Sequence, residues 1–578
     1  MNSYLDLLKA NEIQKKDNLS HEIDLLVLNN ITTNPIKEYL EYKCALHQIK
    51  VRVIFGDYDN ILQNAQDLEV KDKVVLVFWE LANLIHGLEY KIDSFSQTHL
   101  EALEQKIQLE LSLTFKALSK AALVLMNRFT ALPFSYLQTE QGALEALANR
   151  LNQFCDQEAP NSIKWVNSDK CLVNSGIEQC IDFKGYLKNK LLYKHAFYWN
   201  YVQLIQPYLT ALTGQVKKLL ALDCDNTLWK GILGEDGSEG IAMDENSFKG
   251  QAFAAAQFRA LGLGKKGVLL ALASKNNAAD VAAVLSKHPN ITINENSLVA
   301  KKVNWEAKGE NLKQLAKELN IGLDSFVFID DSDFEVQLMR DQIPSIKSIQ
   351  VPKNAVDYYV EQQTWSNHFV QLNQSEEDSK KLEQYQQNAK RASEEQKHQS
   401  FEDFLEALDL VVTIYRNDAA LISRMAQMTQ KTNQFNLTSN RFTETQLAEF
   451  VKNKQYDCFA LSVKDKFGDS GITGLCIVSY TDKDTATIDT LLMSCRILGR
   501  NIEFKFLEEL LSKVFEQVGV VYATYKPSKK NEQVADFYTK IGFELVEQSA
   551  AMRLYSMKAS TFVPSNSYNY ITLQHAYY

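Results

Sequence analysis

Short apolar runs alternate with helix-spaced segments along most of the chain. Ile23 to Leu28, Val51 to Gly56 and Val74 to Trp79 are near-continuous hydrophobic stretches of strand length, the pattern of strands buried on both faces of a parallel sheet. A helix-length segment follows Pro35, and Leu100 to Phe129 has helical spacing, so residues 1–210 are predicted to form one doubly wound α/β domain. A second series runs through Val216 to Leu222, Gly267 to Ala273, Ser325 to Ile329 and Ile349 to Pro352. Each of these strands ends in polar residues, which is where open parallel sheets carry their chemistry. This predicts a further α/β domain over 211–375.

The pattern changes after that. From Ser375 to Gln399 the chain is rich in Glu, Gln, Lys and Ser and poor in large apolar residues, which predicts a solvated, charged helical linker over 376–408. Beyond it, Leu410 to Tyr415, Cys458 to Val463, Gly474 to Tyr480 and Thr487 to Met493 read as strands and are followed by helical patterns, giving an α+β domain over 409–558. Residues 559–578, rich in Tyr, Ser and Asn, are expected to be a partly ordered tail. No internal repeat is present.

Length and composition bound this picture. At roughly 150 residues per domain, 578 residues predict two to four domains, and the patterning narrows that to three. With 45% hydrophobic and 23% charged residues, 22 Gly and 9 Pro, collagenous, disordered and low-complexity classes are excluded. Sixty-two basic and 72 acidic residues give a net charge of −10 without a strong basic block, so a nucleic-acid partner is not expected. Eight cysteines without CxxC spacing point to a reducing compartment rather than a disulfide framework or zinc ribbon. The polar start Met1 to Asp6, and the lack of an uninterrupted apolar stretch of about 18 residues, predict a soluble cytoplasmic protein without a membrane span.

The densest chemistry is Leu222-Asp223-Cys224-Asp225-Asn226-Thr227, where an apolar strand runs into two carboxylates and a hydroxyl. Two aspartates at this spacing repel unless a cation shares them, and hard oxygen ligands on a rigid turn suit Mg²⁺. Two later strand ends add Ser274 and the acidic pair Asp330-Asp331, and Lys308 lies at the head of a helix between them. One strand-end aspartate pair is often only a cap or turn. Three polar strand ends in a single α/β series point instead to one site.

These four motifs, in this order, resemble those of the haloacid-dehalogenase (HAD) superfamily. The resemblance implies a Rossmann-like HAD phosphatase core with Asp223 as the nucleophile that forms an aspartyl-phosphate and Asp225 as the acid and base. Ser274 and Lys308 would hold the phosphoryl oxygens. Mg²⁺ would sit on the Asp223 carboxylate, the Asp225 backbone carbonyl and Asp331, with Asp330 in support. About 50 residues separate Asp223 from Ser274, too few for a flap, a helix and a large cap domain together. An uncapped site admits large substrates or borrows a lid from a neighbour.

The longer run from Asp223 to Gly237, with Asn320 to Asp331, is similar to the FkbH-like (HAD-IIIC) branch, although Cys224 replaces the usual Leu and Ser332-Asp333 the usual Asn-Pro. That branch carries an SGNH-hydrolase-like N-terminal domain and a GNAT-like acyltransferase domain. In this chain Leu28 to Thr32 lacks a Gly-Asp-Ser element and no Asp-x-x-His follows, so the first domain is expected to be non-catalytic, and His86, His99 and His195 structural or surface residues. In the last domain, Cys495 to Asn501 follows a strand and is expected to open a helix; its Arg496-x-x-Gly499-Arg500 resembles the helix-start turn that receives a pantetheine or pyrophosphate phosphate, with Asn501 where the GNAT pattern has Gly or Ala, and Asn531 to Phe543 resembles the closing GNAT helix and strand. The resemblance implies that 1,3-bisphosphoglycerate, a phosphorylated three-carbon substrate, is dephosphorylated and its glyceryl unit loaded onto the phosphopantetheine arm of an acyl carrier protein in polyketide-type biosynthesis. Cys495 would then carry the glyceryl group as a thioester, or it is a small buried core residue. Acidic carrier proteins would need a basic patch, for which Lys526, Lys529, Lys530 and Arg500 are candidates. Two other readings stay open: a phosphatase for another small metabolite or sugar phosphate, and a non-catalytic assembly scaffold.

Overall fold

A computed structural model describes residues 7, 11, 19, 21–372, 381–395, 397–528, 530–565 and 567–576. The start of the chain at 1–6, positions 373–380 at the head of the expected linker, and Lys529 lie outside the described residues. The chain divides into two units, Met1–Thr213 with Thr443–Gln446, and Gly214–Phe442 with Leu447–Tyr578. Together they form a mixed α/β, multi-sheet protein. Among the described residues no helix is long and apolar enough to cross a membrane.

The first unit is built on strands β1 (His21–Asn29), β2 (Ile49–Phe55), β3 (Val74–Phe78), β4 (Leu123–Asn127) and β5 (Ile163–Val166), all parallel, in the order β2-β1-β3-β4-β5. Strands β3 and β4 are buried along their whole length, as unbroken apolar runs require. One face packs Leu26, Val75 and Val124 against Leu103, Ile107 and Leu111 of helix α1 (Gln97–Ala117). The other sets Phe78 against Phe197 and Tyr201 of helix α2 (His195–Leu212), with ring centroids 6.0 and 5.1 Å apart. The expected helix from Leu100 to Phe129 is therefore corrected: it stops at Ala117, and Leu123–Asn127 is a central strand. The break falls where Ala121 turns extended and the following Leu-Val-Leu-Met run loses helical periodicity.

The second unit opens with β6 (Leu219–Leu222), β7 (Leu269–Ser274), β8 (Ala300–Val303), β9 (Phe326–Asp330) and β10 (Lys347–Gln350), parallel in the order β10-β9-β6-β7-β8. Alternation along each strand divides the core. Leu220, Leu222, Leu270, Val327 and Ile329 meet helices α3 (Gly250–Lys265) and α4 (Ala278–Lys287). Leu219, Ala221, Ala271 and Phe328 meet α5 (Lys308–Glu318) and α6 (Asp333–Gln342) on the opposite face. Strand order reverses between β6 and β9, so a crevice opens at their carboxyl ends.

A helix α7 (Lys381–Glu395) follows. The expectation of a solvated linker here is corrected for this segment: Gln384, Tyr385 and Arg391 are buried. Arg391 clasps Asp465 through two hydrogen bonds of 2.6 and 2.8 Å, and Gln384 donates to the Ser470 carbonyl at 3.2 Å. Composition marks such a helix as polar, but the Arg391 guanidinium and the Gln384 amide nitrogen find partners on the neighbouring sheet, which lets it dock.

That sheet joins β11 (Val411–Arg416), β13 (Tyr456–Asp465), β14 (Gly468–Tyr480), β15 (Thr485–Met493), β16 (Val520–Tyr525), β17 (Glu544–Gln548), β18 (Arg553–Lys558) and β19 (Thr572–His575), with the short β12 (Phe435–Asn436) against the end of β15. It is antiparallel except for β15 with β16 and β11 with β19. Helices α8 (Ile422–Lys431) and α9 (Ile502–Val514) cover its two faces. Residues 559–578, expected as a tail, supply the edge strand β19, with Ile571 buried beside it.

Candidate functional site

Because β6, β7 and β9 are parallel, their carboxyl ends deliver Asp223, Ser274 and Asp330-Asp331 to one edge, and the first residue of α5 adds Lys308. The Asp223 N–H donates to the Ile329 carbonyl at 3.0 Å, which fixes the residue just past the strand. The carboxylates of Asp223, Asp330 and Asp331 approach to within 4.8 Å of one another. Lys308 Nζ bridges two of them, 2.9 Å from Asp223 Oδ1 and 2.6 Å from Asp330 Oδ2. Asp330 uses its other oxygen to accept from the Ser332 N–H at 2.9 Å. Asp331 is half-buried.

Electrostatics follow from this crowding. Burial pushes the Asp223 carboxyl up to about 6, against the pull of Lys308, and Asp330 adds repulsion. Burial likewise raises Asp330 and Asp331, the latter further through the Asp223 charge. Burial disfavours the Lys308 ammonium, but the two carboxylates outweigh it and hold Lys308 above the usual lysine value. One ammonium thus faces three carboxylates. A hard divalent cation on Asp223 and Asp331 is what this oxygen-only donor set fits, since it would relieve both like-charge repulsion and burial.

Asp225 takes a different environment. Its Oδ1 accepts from Trp229 Nε1 at 2.9 Å and the Leu233 N–H at 3.1 Å, and its Oδ2 accepts from Asn276 Nδ2 at 2.9 Å. Its side chain stands apart from the three-carboxylate cluster, held in a single orientation. Asn226 allows the turn: it adopts a left-handed φ of 51°, and its Oδ1 accepts from Lys230 Nζ at 2.8 Å and the Gly231 N–H at 3.2 Å. Thr227 and Cys224 are fully buried, Cys224 within the apolar core beside β6. Tyr358 donates to the Thr227 carbonyl at 2.8 Å, and Gln257 to the Leu228 carbonyl at 2.9 Å.

Sequence reasoning missed Asn276, Trp229, Gln257 and Tyr358 as supports. Asn276 had a visible signal: it stands two positions past Ser274, on the same side of the chain as it leaves β7, and the two side chains are 3.5 Å apart. Gln257 and Tyr358 carried none, because only folding brings them beneath the turn.

The C-terminal candidates do not assemble as expected. After β15, Cys495 to Ile497 form a short 3₁₀ turn, and α9 begins only at Ile502, so Cys495 is not at a helix N-terminus. Gly499 is exposed with φ of 83°. Arg500, expected to receive a phosphate, is corrected to an internal residue: its guanidinium bonds Asp465 Oδ2 at 3.2 Å, the Arg496 carbonyl at 2.7 Å and Asn388 Oδ1 at 3.3 Å. The same burial removes it from a surface docking patch. Lys530 is ion-paired with Asp324 at 2.5 Å, and Lys526 reaches Asn440 at 3.5 Å. Arg496 is also buried, and Cys495 is the one cysteine of the eight that is not.

In the first unit the strand ends clamp the backbone. Asn30 exchanges two hydrogen bonds with the main chain of Glu80 at 2.9 and 2.6 Å, and Asn127 does the same with Trp79 at 3.1 and 2.8 Å. Glu80 is buried and accepts from Tyr193 Oη at 2.8 Å.

No family model matches the chain, and no curated protein does. Among solved structures, the N-terminal part of the protein BF1531 from Bacteroides fragilis, containing a phosphatase domain and complexed with Mg, matches 64% of this chain and 99% of its own, at 20% identity and a TM-score of 0.55. That likeness is one of fold. The ribosomal-protein-S18-alanine N-acetyltransferase from Escherichia coli matches 27% of this chain and 97% of its own, at 12% identity. Its TM-score of 0.21 is too low to carry an inference.

Proposed function

We propose that the carboxylate site of the second unit is a Mg²⁺-dependent HAD-type phosphatase centre with Asp223 as its nucleophile. One observation carries the reading: Asp223, Asp330 and Asp331 converge at parallel strand ends around a single buried lysine. An Asp223 carboxylate oxygen attacks phosphorus in line, the new O–P bond forms and the bond to the leaving oxygen breaks, leaving an aspartyl-phosphate. Asp225, held by Trp229, Leu233 and Asn276, gives its proton to the leaving oxygen and then takes one from the water that cleaves the intermediate. Lys308 and Ser274 hold the phosphoryl oxygens, and Lys308 offsets their charge. Asp223 and Asp331, with Asp330 beside them, would hold Mg²⁺, which would supply charge neutralisation for the meeting of two anions. The structural neighbour from Bacteroides fragilis, described as containing a phosphatase domain complexed with Mg, supports the same assignment.

The finer reading is an FkbH-like enzyme. Its substrate is of the 1,3-bisphosphoglycerate kind: the Asp223 centre removes the C3 phosphate ester, and the C1 acyl phosphate acylates the pantetheine thiol of an acyl carrier protein in the cytoplasm, the C–S bond forming as the carbonyl carbon's bond to phosphate breaks. The SGNH-like first unit acts as a non-catalytic platform and the C-terminal sheet as a GNAT-like acyl-transfer domain. The sequence resemblance over Asp223 to Gly237 and Asn320 to Asp331 supports this, as does the parallel β15–β16 pair inside a largely antiparallel sheet.

The test is incubation of the full chain with 1,3-bisphosphoglycerate, Mg²⁺ and a holo carrier protein. Phosphate release is followed, and the carrier is weighed intact. A glyceryl adduct together with phosphate release is expected, and both are lost in Asp223→Asn. Phosphate release without an adduct would leave a phosphatase for another metabolite or sugar phosphate. Neither signal, with Asp223→Asn indistinguishable from wild type, would leave a scaffold.

A further inference from the structure

In the first unit, the chain leaving the carboxyl end of β4 forms a short helix, Leu132–Ser135, and a second short helix, Phe183–Asn189, lies against it. Phe134 joins the two, its ring centroid 5.8 Å from that of Phe183 and 5.3 Å from that of Tyr186. Tyr186 is the buried residue of the second helix. Phe183 and Leu187, four positions apart, share a different face of it, and that face is left open, with Phe183 40% and Leu187 78% exposed. Tyr136 and Leu137, just past the first helix, are 38% and 82% exposed. Large apolar side chains thus stand together in water where two packed helices meet, which marks an interaction surface rather than scattered surface residues.

Charge says what fits there. Lys184 and Lys188, again four positions apart, form the adjacent stripe of the same helix and are exposed. Lys190 follows them, with its Nζ 4.3 Å from the Tyr186 ring centroid. Among the described residues no carboxylate forms an ion pair with any of these lysines. The acid at the head of the helix, Asp182, is engaged as its cap and accepts from the Gly185 N–H at 2.9 Å. On a chain with a net charge of −10, unpaired lysines beside an apolar patch are a local reversal of sign. The C-terminal cations expected to form such a patch are taken up elsewhere, Arg500 by Asp465 and Lys530 by Asp324.

We propose that this face of the first unit docks an acidic protein, whose carboxylates meet Lys184 and Lys188 and whose apolar side chains cover Phe183, Leu187 and Leu137. The acidic carrier protein of the proposed function is the occupant, so the inference rests on that reading and gives its non-catalytic platform a definite surface. The exposed lysines steer and orient the encounter, and the apolar contact holds it. Salt screens only the first of these.

The test is equilibrium binding of the full chain to a holo acyl carrier protein by titration calorimetry, at low and at high salt. Saturable binding that weakens with salt is expected. Lys184→Glu combined with Lys188→Glu should weaken it about tenfold or more, and Leu187→Ser several-fold, while Lys526→Glu leaves it unchanged. These side chains are exposed, so each variant should fold and release phosphate at the wild-type rate when no carrier is present. Vesicles of phosphatidylserine and phosphatidylcholine should not bind, and the chain alone should sediment identically with and without the charge reversal. No saturable carrier binding, binding indifferent to the double reversal, or vesicle binding or self-association that the reversal abolishes would overturn the proposal. The carrier reading fails separately. Binding governed by Lys184 and Lys188 without a glyceryl adduct would remove the acyl transfer and keep the docking face, whereas an adduct formed equally fast by the reversed variant would keep the transfer and remove the docking face.

Discussion

Replacing Asp465 by Asn tests whether α7 is a docked element and Arg500 an internal one. The Asp465 side chain is 1% exposed and serves two guanidinium groups, Arg391 at 5% and Arg500 at 9% exposure. Removing one member of a buried pair costs about 3–5 kcal/mol because the remaining charge stays desolvated. Here two cations lose the same anion, so Asp465→Asn should cost about 4–5 kcal/mol, the upper end of that range. Arg391→Met should cost less, about 3 kcal/mol, since Asp465 keeps Arg500. Against a typical domain stability of about 5–15 kcal/mol, either loss is large. Because the chain has two units, urea unfolding should be read by hydrogen exchange on peptides of the second unit, which separates its transition from that of the first. A cost below about 0.5 kcal/mol for Asp465→Asn, the size of an exposed pair, would refute the reasoning and restore Arg500 as a surface cation.

Other outcomes follow from the same structure. Glu80 has its carboxyl raised to about 7 by burial, against an unfolded value of 4.5. Its stabilising contribution is complete below pH 4.5 and is lost as pH rises through 7, about 3 kcal/mol in all. The stability of the first unit should therefore fall from pH 5 to pH 8, and much less so in Glu80→Gln; equal slopes would refute the assignment. Asn276→Ala removes one of three donors to Asp225 and should lower kcat for phosphate release about tenfold with little change in KM. An unchanged kcat would show that Asp225 needs no such positioning. Chelation by EDTA should abolish phosphate release and Mg²⁺ should restore it. At 100 times its Kd, Mg²⁺ should also stabilise the second unit by about 2.7 kcal/mol, and no shift in the unfolding midpoint would remove the metal from the site.

The strands that hold the carboxylate site were legible because burial on both faces leaves an unmistakable apolar run, as in Leu269 to Ala273 and Phe326 to Ile329. Asp223, Ser274 and Asp330 were legible for a related reason: in a parallel sheet, polar residues just past such runs share one edge. Strand β8 was missed because it is an edge strand whose Lys301 and Lys302 need no apolar partner. The docking of α7 was invisible because Arg391 and Gln384 look solvated until Asp465 and the Ser470 carbonyl are placed opposite them. Arg500 and Cys495 were misplaced because a short motif was read as the start of a helix. The left-handed Gly499 and Asn501 instead separate a 3₁₀ turn from α9 and redirect the chain between them.

Strand β6 separates Asp223 from Cys495 and sets a limit on how the two can cooperate. Cys495 lines a cavity together with Lys218, which precedes the strand, while Asp223 follows it. The strand puts roughly 16 Å between Lys218 and Asp223, five residues at about 3.3 Å each. Its sheet is packed on both faces by apolar side chains, with Leu219, Leu220, Ala221 and Leu222 all buried, so no channel is offered along it from Asp223 to the cavity around Cys495. An interior packed at the density of an organic crystal does not open for a three-carbon group over roughly 16 Å. If both residues act in one reaction sequence, the acyl group must leave the carboxyl edge of the sheet and come round to the amino edge, free in solution or on a carrier arm. Direct hand-over of the acyl group from a substrate held at Asp223 to the Cys495 thiol within one chain is disfavoured by that geometry. A carrier that visits the two edges in turn is compatible with it, and so is a Cys495 that takes no part in the reaction. Cys495 alkylation during turnover separates these. A thiol protected only while 1,3-bisphosphoglycerate is being consumed belongs to the sequence, whereas one alkylated equally fast in wild type and in Asp223→Asn does not.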